Sequence, residues 1–384
     1  MGQFVEVLFY VGAFQGVLLT VFLFSIKANK ISNRLLGLLT FCWALLLLQF
    51  PMQEHGLYRN HPHLLKTVSP LLLALFPLLY LHVKYLLSYF NKFQTRDLIH
   101  FLPFVINILL FSDFYFMGAD EKLALIRNPT PYYKIVGIIG DEVVASQGII
   151  YSIFILKRLA RYKREILNYQ SNIDRIVIKT LFAGVILIFI SWIIGTIGVN
   201  LDVFNIPVNV DLFIAVYLIL VVVIYFISYV AIKTPEVFKL DERKMRTIFF
   251  KEDESEIVKQ MPEIEEFNPE LEGFNEQLIT FMADGKPYLN SDLSLQELAE
   301  ELHLTRHQLS NIINKKHDKN FYDFINSYRT EEVKRLMEDP VNHNLKLISL
   351  AYDAGFNSKA SFNRIFKKMT NMTPSQYFLL QEAG

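Results

Sequence analysis

The 384-residue sequence predicts an all-α protein: an N-terminal bundle of about seven transmembrane helices, then a C-terminal all-helical domain with two helix-turn-helix units. Three observations predict it. Hydrophobic residues make up 52% of the chain and charged residues 20%, with a mean hydropathy of +0.28, which is more apolar than soluble domains usually are. The apolar excess stops near residue 233, where a charged stretch begins. Beyond that stretch, apolar residues recur at helical spacing in short amphipathic segments. This places a transmembrane domain at 1–233, a linker at 234–272 and a compact domain at 273–384.

A helix needs about 20 mainly apolar residues to cross a bilayer core. Runs of that kind lie at 4–26, 33–53, 66–89, 98–117, 133–156, 176–199 and 208–232, the third and fifth interrupted by polar residues. No positive charge precedes the first run, which is also too long for the core of a signal peptide, so it is expected to be a retained span. Basic residues concentrate after the first, third and fifth runs: Lys27, Lys30 and Arg34; Lys92 and Arg96; Lys157, Arg158, Arg161, Lys163, Arg164 and Arg175. The alternate loops hold only Arg59, Lys122 and Arg127. Positive charge stays on the cytoplasmic side, so the N-terminus is expected outside and the C-terminal domain in the cytoplasm, below a cytoplasmic (inner) membrane.

Polar residues inside the runs are Glu6, Gln15, Gln49, His82, Asn107, Asp113, Asp141, Glu142, Gln147 and Asp211. Ionisable groups are costly in hydrocarbon and mark candidate functional sites. Asp141 and Glu142 lie about 12 Å along the fifth run at 1.5 Å per residue, deep enough to line a pocket for a ligand entering from outside. A structural pairing within the bundle is the competing reading of the same residues. Cys42 is the lone cysteine, which excludes an intrachain disulfide and a cysteine-based zinc site. His55, His61 and His63 share a loop, but their spacing matches no metal motif. No metal or cofactor is expected.

The linker is mainly acidic, and Pro235, Pro262 and Pro269 interrupt any continuous helix. A short juxtamembrane helix and a flexible tether are expected there, with Arg243, Lys244 and Arg246 either contacting anionic headgroups or simply solvated.

In the C-terminal domain, Ser294 and Glu297 form a capping box, and Leu295, Leu298, Ala299 and Leu302 make one buried face. After a break at His303-Leu304, Thr305 and Gln308 cap a second helix that buries Leu309, Ile312 and Ile313. Its other face carries Arg306, His307, Ser310, Asn311, Asn314 and Lys315. A short helix, a tight turn and a helix with a polar face form a helix-turn-helix. The pattern recurs with Ile348, Ala351 and Tyr352 on one helix, Gly355 in the turn and Phe356 in the core. The helix that follows buries Phe362, Ile365 and Phe366 while presenting Lys359, Ser361, Asn363, Arg364, Lys367 and Lys368. Residues 321–337 read as a connecting helix, and Thr373, Pro374 and Gln376 open a last one.

Residues 270–384 hold 13 Lys/Arg against 16 Asp/Glu, a net acidic balance. Locally the sign reverses: 306–319 holds four basic residues to one acid, and 358–368 four to none. Phosphate contact requires that local concentration. Arg and Asn can also read base edges, while Lys mainly positions the backbone.

Residues 274–380 resemble the DNA-binding domain of the AraC/XylS family of transcription regulators. The resemblance rests on Ala351, Gly355, Phe356, Ser361, Phe362, Arg364, Phe366, Lys367, Thr373, Pro374 and Tyr377 in order, and on NFYDFINSYR at 320–329. It implies that one monomer sets both reading helices into successive major-groove segments of double-stranded DNA. Three positions depart from the family pattern. Asp318 and Asn371 replace glycines, and both residue types tolerate left-handed backbone. Asn311 stands where a basic residue is frequent, which bears on the base preference of the first unit. The resulting expectation is a membrane-anchored transcription regulator that couples a signal ligand of unknown identity to promoter binding, alone or as a homodimer. A membrane receptor or transporter carrying a regulatory DNA-binding domain is the alternative, although no inverted repeat is visible. No Gly-x-Ser-x-Gly, His-Glu-x-x-His or phosphate-cradling loop is present, so an enzyme is not expected.

Overall fold

The computed structural model describes residues 3–87, 92–171, 175–204, 206, 212–233, 269–342 and 344–382. Every named element among them is helical, and extended pairing is limited to an isolated antiparallel bridge, Gln170 with Ser294. The chain divides into two compact units, one of Met1–Ala160 with Arg175–Arg246, the other of Arg161–Asp174 with Thr247–Gly384.

The first unit contains α1 (Gln3–Ser25), α2 (Lys30–Glu54), α3 (Leu72–Leu86), α4 (Leu102–Leu110), α5 as far as Ala160 (the whole helix is Pro131–Tyr169), α6 (Arg175–Val203) and α7 (Leu212–Lys233). Helix α1 packs on α2 and α7, α2 on α3, and α6 on α7. Six helices among the described residues are long and apolar enough to cross a membrane. The fourth expected span is different. Residues 98–117 do not form one long helix but a chain of pieces: a 3-10 segment Thr95–Phe101, then α4, then Ser112–Phe116. Pro103 near the start of α4 lacks a backbone donor, which favours a fresh helix start there. The fifth run also departs from expectation. Helix α5 continues 13 residues past 156 and is 39 residues long, about 58 Å at 1.5 Å per residue. Lysine and arginine are good helix formers, so the charge that ends the apolar run does not end the helix.

This unit buries apolar side chains such as Phe9, Trp43, Leu47 and Leu81, encloses several hydrogen-bonded polar groups, and also carries large apolar side chains on its surface. Phe4, Phe14, Val21, Ile197, Tyr229 and Ile232 are exposed. Inside, Gln15 donates to Ser228 Oγ at 2.9 Å, Ser32 meets His82 Nδ1 at 2.9 Å, and Thr20 meets Thr40 at 2.9 Å. Lys84 pairs with Asp97 at 2.6 Å. Gly16 lets α1 approach α2 closely: a Cβ there would sit 3.1 Å from that of Ala44. Small residues at helix crossings and hydrogen bonds in the interior are how helices associate where no water drives them together. His55 pairs with Glu6, and His63 lies 3.1 Å from Lys122 Nζ. Asp211 and the linker residues 234–268, with Arg243, Lys244 and Arg246, lie outside the described residues.

In the second unit come the end of α5, then α8 (Pro269–Asp284), α9 (Leu295–Glu301), α10 (Arg306–His317), α11 (Phe321–Glu338), α12 (Leu347–Asp353), α13 (Lys359–Thr370) and α14 (Pro374–Glu382). Its helices bury what periodicity assigned: Leu295, Leu298, Ala299, Leu309, Ile312 and Ile313 in the first half, Phe362, Ile365 and Phe366 in the second. On α12 the buried residues are Leu350 and Ala351, while Tyr352 is exposed. Helix α11 runs between the halves and packs on α10, α12 and α13. Phe356, Phe362, Phe366 and Tyr377 stack edge to face or tilted, each 5.4–5.6 Å from the next.

Candidate nucleic-acid interface

Each reading helix is started and stopped by local hydrogen bonding. At α9, Glu297 N donates to Ser294 Oγ at 3.3 Å, and the Glu297 carboxylate accepts from Ser294 N at 2.8 Å. At α10, Gln308 N donates to Thr305 Oγ1 at 3.2 Å, and Gln308 Oε1 accepts from Thr305 N at 2.9 Å. Both boxes are the ones read from sequence. Two further caps are not predicted from the sequence: Ser358 Oγ accepts from Ser361 N at 3.2 Å to start α13, and Asn320 Oδ1 from Asp323 N at 2.8 Å to start α11. Serine and asparagine three residues ahead of the amide they accept from are cap signals, but no Glu or Gln completes a box there. The residues replacing glycine do adopt left-handed backbone. Asp318 ends α10 at φ 49° and Asn371 ends α13 at φ 60°. His303 is left-handed too, at φ 55°, in the turn between α9 and α10.

In the second turn Gly355 has φ 89°, and a Cβ on it would lie 2.4 Å from Tyr288 O and 2.9 Å from Leu289 O. Only glycine meets both demands, the backbone angle and the close approach. The turn of the second helix-turn-helix is thereby pressed onto the loop that precedes the first.

The core positions orient the rest. With Leu309, Ile312 and Ile313 turned inward, His307, Asn314 and Lys315 are exposed on α10, and Arg306, Ser310 and Asn311 are half-buried. Asn314 Nδ2 donates to Ser310 Oγ at 3.3 Å. On α13, Lys359, Asn363, Lys367 and Lys368 are exposed, and Ser361 and Arg364 half-buried. Two of the predicted contacts are engaged within the unit. Arg364 donates to Tyr322 Oη at 2.7 Å, its guanidinium 5.9 Å from the ring centre. Lys368 pairs with Asp323 at 2.7 Å. Both partners sit on α11, so the connecting helix holds two side chains of the second reading helix. Nothing in their sequence spacing signals this, since the contacts join residues 42 and 45 positions apart.

Three further groups frame the reading helices. The fully buried Arg329 on α11 donates to Tyr288 O and Asn290 O, each at 2.7 Å, and burial pulls its pKa down to about 10. Glu332 accepts from Arg335 at 2.7 Å and Lys286 at 3.3 Å, and these bonds, Arg335 first, hold its carboxyl below the usual range. His317, the last residue of α10, meets Asn275 Oδ1 at 2.8 Å and packs on Phe324 at 4.9 Å. Burial, reinforced by nearby Lys319, lowers its pKa.

Comparison with known proteins agrees with this geometry. A family model for a helix-turn-helix domain matches residues 298–379, from α9 through α14. Residues 298–379 are an AraC-type helix-turn-helix domain. Proteins titled uncharacterized HTH-type transcriptional regulators, from Staphylococcus aureus strains COL, MSSA476 and N315, are each 34% identical to the chain over 90 residues. The similarity covers 23% of this chain and spans only 12% of the length of those relatives. No solved structure matches the chain.

A His317 pKa below that of the unfolded chain means the unfolded state binds the proton more readily, so stability is lost as pH falls. The C-terminal unit should lose stability from about pH 6.5 downward, the unperturbed histidine value, well before the loss of the Glu332 bonds near carboxylate pKa values. His317→Asn should flatten the first of these two declines in urea midpoints taken between pH 7.5 and 5. An unchanged slope would remove His317 as its source.

Proposed function

We propose that the chain is a membrane-held, sequence-specific transcription regulator, with residues 1–233 as sensor, 234–272 as tether and 273–384 as the DNA-reading domain. The observation that carries this reading is an AraC-type domain with two exposed basic helix faces on the same chain as long apolar helices, six of them among the described residues. Double-stranded DNA is the partner of α10 and α13. Lys315, Lys359, Lys367 and Lys368 contact phosphates, while Arg306, His307, Ser310, Asn311, Asn314, Ser361, Asn363 and Arg364 face bases or position the helices. Arg364 reaches DNA from its seat on Tyr322. Pairing of two copies would align four reading helices on one promoter.

The bilayer is the partner of the first unit, whose outward apolar and inward polar side chains suit hydrocarbon. We place the N-terminus outside and the C-terminal domain in the cytoplasm, and charge decides the parity. Were the broken segment 95–116 not to cross, the six basic residues between Lys157 and Arg175 would fall on the opposite side from Lys27, Lys30 and Arg34. A crossing by 95–116 puts both groups on the cytoplasmic face.

The signal enters a cavity of about 240 Å³ in the bundle, lined by Trp43, Gln49, Asp141, Glu142, Trp192 and Tyr217 among others. Two carboxylates beside aromatic faces and many leucines suit a small amphiphile with an apolar body and a cationic head.

Four measurements test the reading. In genome-wide crosslinking of full-length protein, discrete promoter peaks are expected, and they should disappear with Lys359→Ala plus Lys367→Ala. On a recovered promoter duplex, the double variant should lower the salt-dependence slope by roughly 2, one per lost phosphate contact. Equal slopes would mean these lysines do not touch DNA. For topology, single cysteines in a Cys42→Ala background should react with an impermeant thiol reagent on intact cells at Arg127 but not at Arg161. The reverse pattern would invert the orientation. The chain has two tryptophans, and both line the cavity. Their fluorescence should change saturably with an alkyltrimethylammonium below its micellar concentration, and Asp141→Asn plus Glu142→Gln should weaken that binding about tenfold or more. A linear response, equal in the variant, would discard the cavity as a cation site.

A further inference from the structure

The connector after α5 is grouped with the DNA-reading unit, yet it belongs to neither helix-turn-helix. Helix α5 ends at Tyr169, which packs against the core of that unit, and Gln170 forms the antiparallel bridge with Ser294. Ser171 is 1% exposed. Its N–H and its hydroxyl both donate to Leu293 O, at 3.2 and 2.6 Å. Its carbonyl accepts from Asn326 Nδ2 at 3.0 Å and from Arg329 at 3.1 Å, and its hydroxyl oxygen accepts from Arg329 at 3.1 Å.

The place where it docks joins both halves of the reading unit. Leu293 leads into Ser294, the cap of α9 in the first helix-turn-helix. Arg329 also holds Tyr288 O and Asn290 O, and that same loop receives the Gly355 turn of the second. Without Ser171, two guanidinium donors, the Asn326 amide and the Leu293 carbonyl would lose buried partners at this junction.

We propose that Gln170–Ser171 is a docking strap: its seat on Leu293, Asn326 and Arg329 fixes the two helix-turn-helix units relative to each other and thereby sets affinity for a two-segment DNA site. Two reading helices must meet two groove segments at once, and a unit already held in that arrangement does not lose the freedom on binding. The strap is covalently continuous with α5, so a change at the other end of that helix has a route to the junction. The DNA part rests on the regulator reading above, while the docking itself does not.

Full-length protein in lipid nanodiscs provides the test, with Ser171→Pro to delete the donated N–H, Ser171→Ala to delete only the hydroxyl, and Q170C with S294C in a Cys42→Ala background to close the bridge by a disulfide. Ser171→Pro should speed amide hydrogen exchange at residues 293–294 and also at Gly355 and Phe356, with helicity unchanged. Its affinity for a recovered promoter duplex should fall about tenfold, and Ser171→Ala should fall less. Oxidising the cysteine pair in the Ser171→Pro background should restore both slow exchange and affinity. Faster exchange confined to 293–294, affinity unchanged in Ser171→Pro, or a cysteine pair that does not close would each overturn the proposal. If the wild-type chain recovers no promoter, the regulator reading fails, and exchange and disulfide closure still decide the strap.

Discussion

The DNA-reading unit is organised around one buried cation. Arg329 keeps its charge at neutral pH and presents five donors in a planar fork, so a buried guanidinium must be surrounded by acceptors. Here they come from the loop before α9, from Asn326 one turn back on α11, and from Ser171. Each donor left unpaired would cost about 1–3 kcal/mol, more for a charged group. That penalty ties two separate stretches of chain, the loop before α9 and the Ser171 connector, to one point on α11. The remaining contacts build outward from it. Tyr288 stacks on Tyr328 at 5.6 Å and hydrogen-bonds Glu332, Glu332 gathers Lys286 and Arg335, and Gly355 closes onto Tyr288 O.

Both units bury apolar side chains, and they differ in what else is inside and in what their surfaces carry. In the reading unit, leucine, isoleucine and phenylalanine go inside and lysine and asparagine stay out, as water demands. In the helical bundle, hydroxyls, an imidazole and a Lys–Asp pair lie inside beside Phe9, Trp43 and Leu81, and further large apolar side chains face outward. One chain thus contains two kinds of packing, and the composition step near residue 233 separates them except for Arg161–Asp174, which belongs to the second unit.

What could be read from sequence is what is encoded locally. The boxes at Ser294, Thr305 and Thr373 each involve residues three apart, and all three form. The buried faces of α9, α10 and α13 follow helical spacing. Asp318 and Asn371 could be assigned left-handed backbone because short polar side chains tolerate it. Competition between local and longer-range terms was harder to see. An apolar count over 98–117 does not register that Pro103 divides the stretch, and the basic residues after 156 obscured a helix that charge does not interrupt. The seat of Arg364 on Tyr322 and of Ser171 on Arg329 is set by tertiary packing across 42 and 158 residues, beyond the reach of any periodicity.

Eight of the 13 Lys/Arg residues in 270–384 lie at 306–319 and 358–368, on a background that is net acidic. Non-specific attraction to DNA scales with the phosphates that a protein can neutralise, so such a surface grips random sequence weakly and releases it quickly. For a protein fixed in a bilayer, as we propose, that weakness has value. A strongly basic domain would glue whichever stretch of chromosome drifted past to the cell envelope and obstruct replication and segregation. A sparsely charged one lets the genome slide by until a matching site pauses, so that the DNA does the searching and the protein waits.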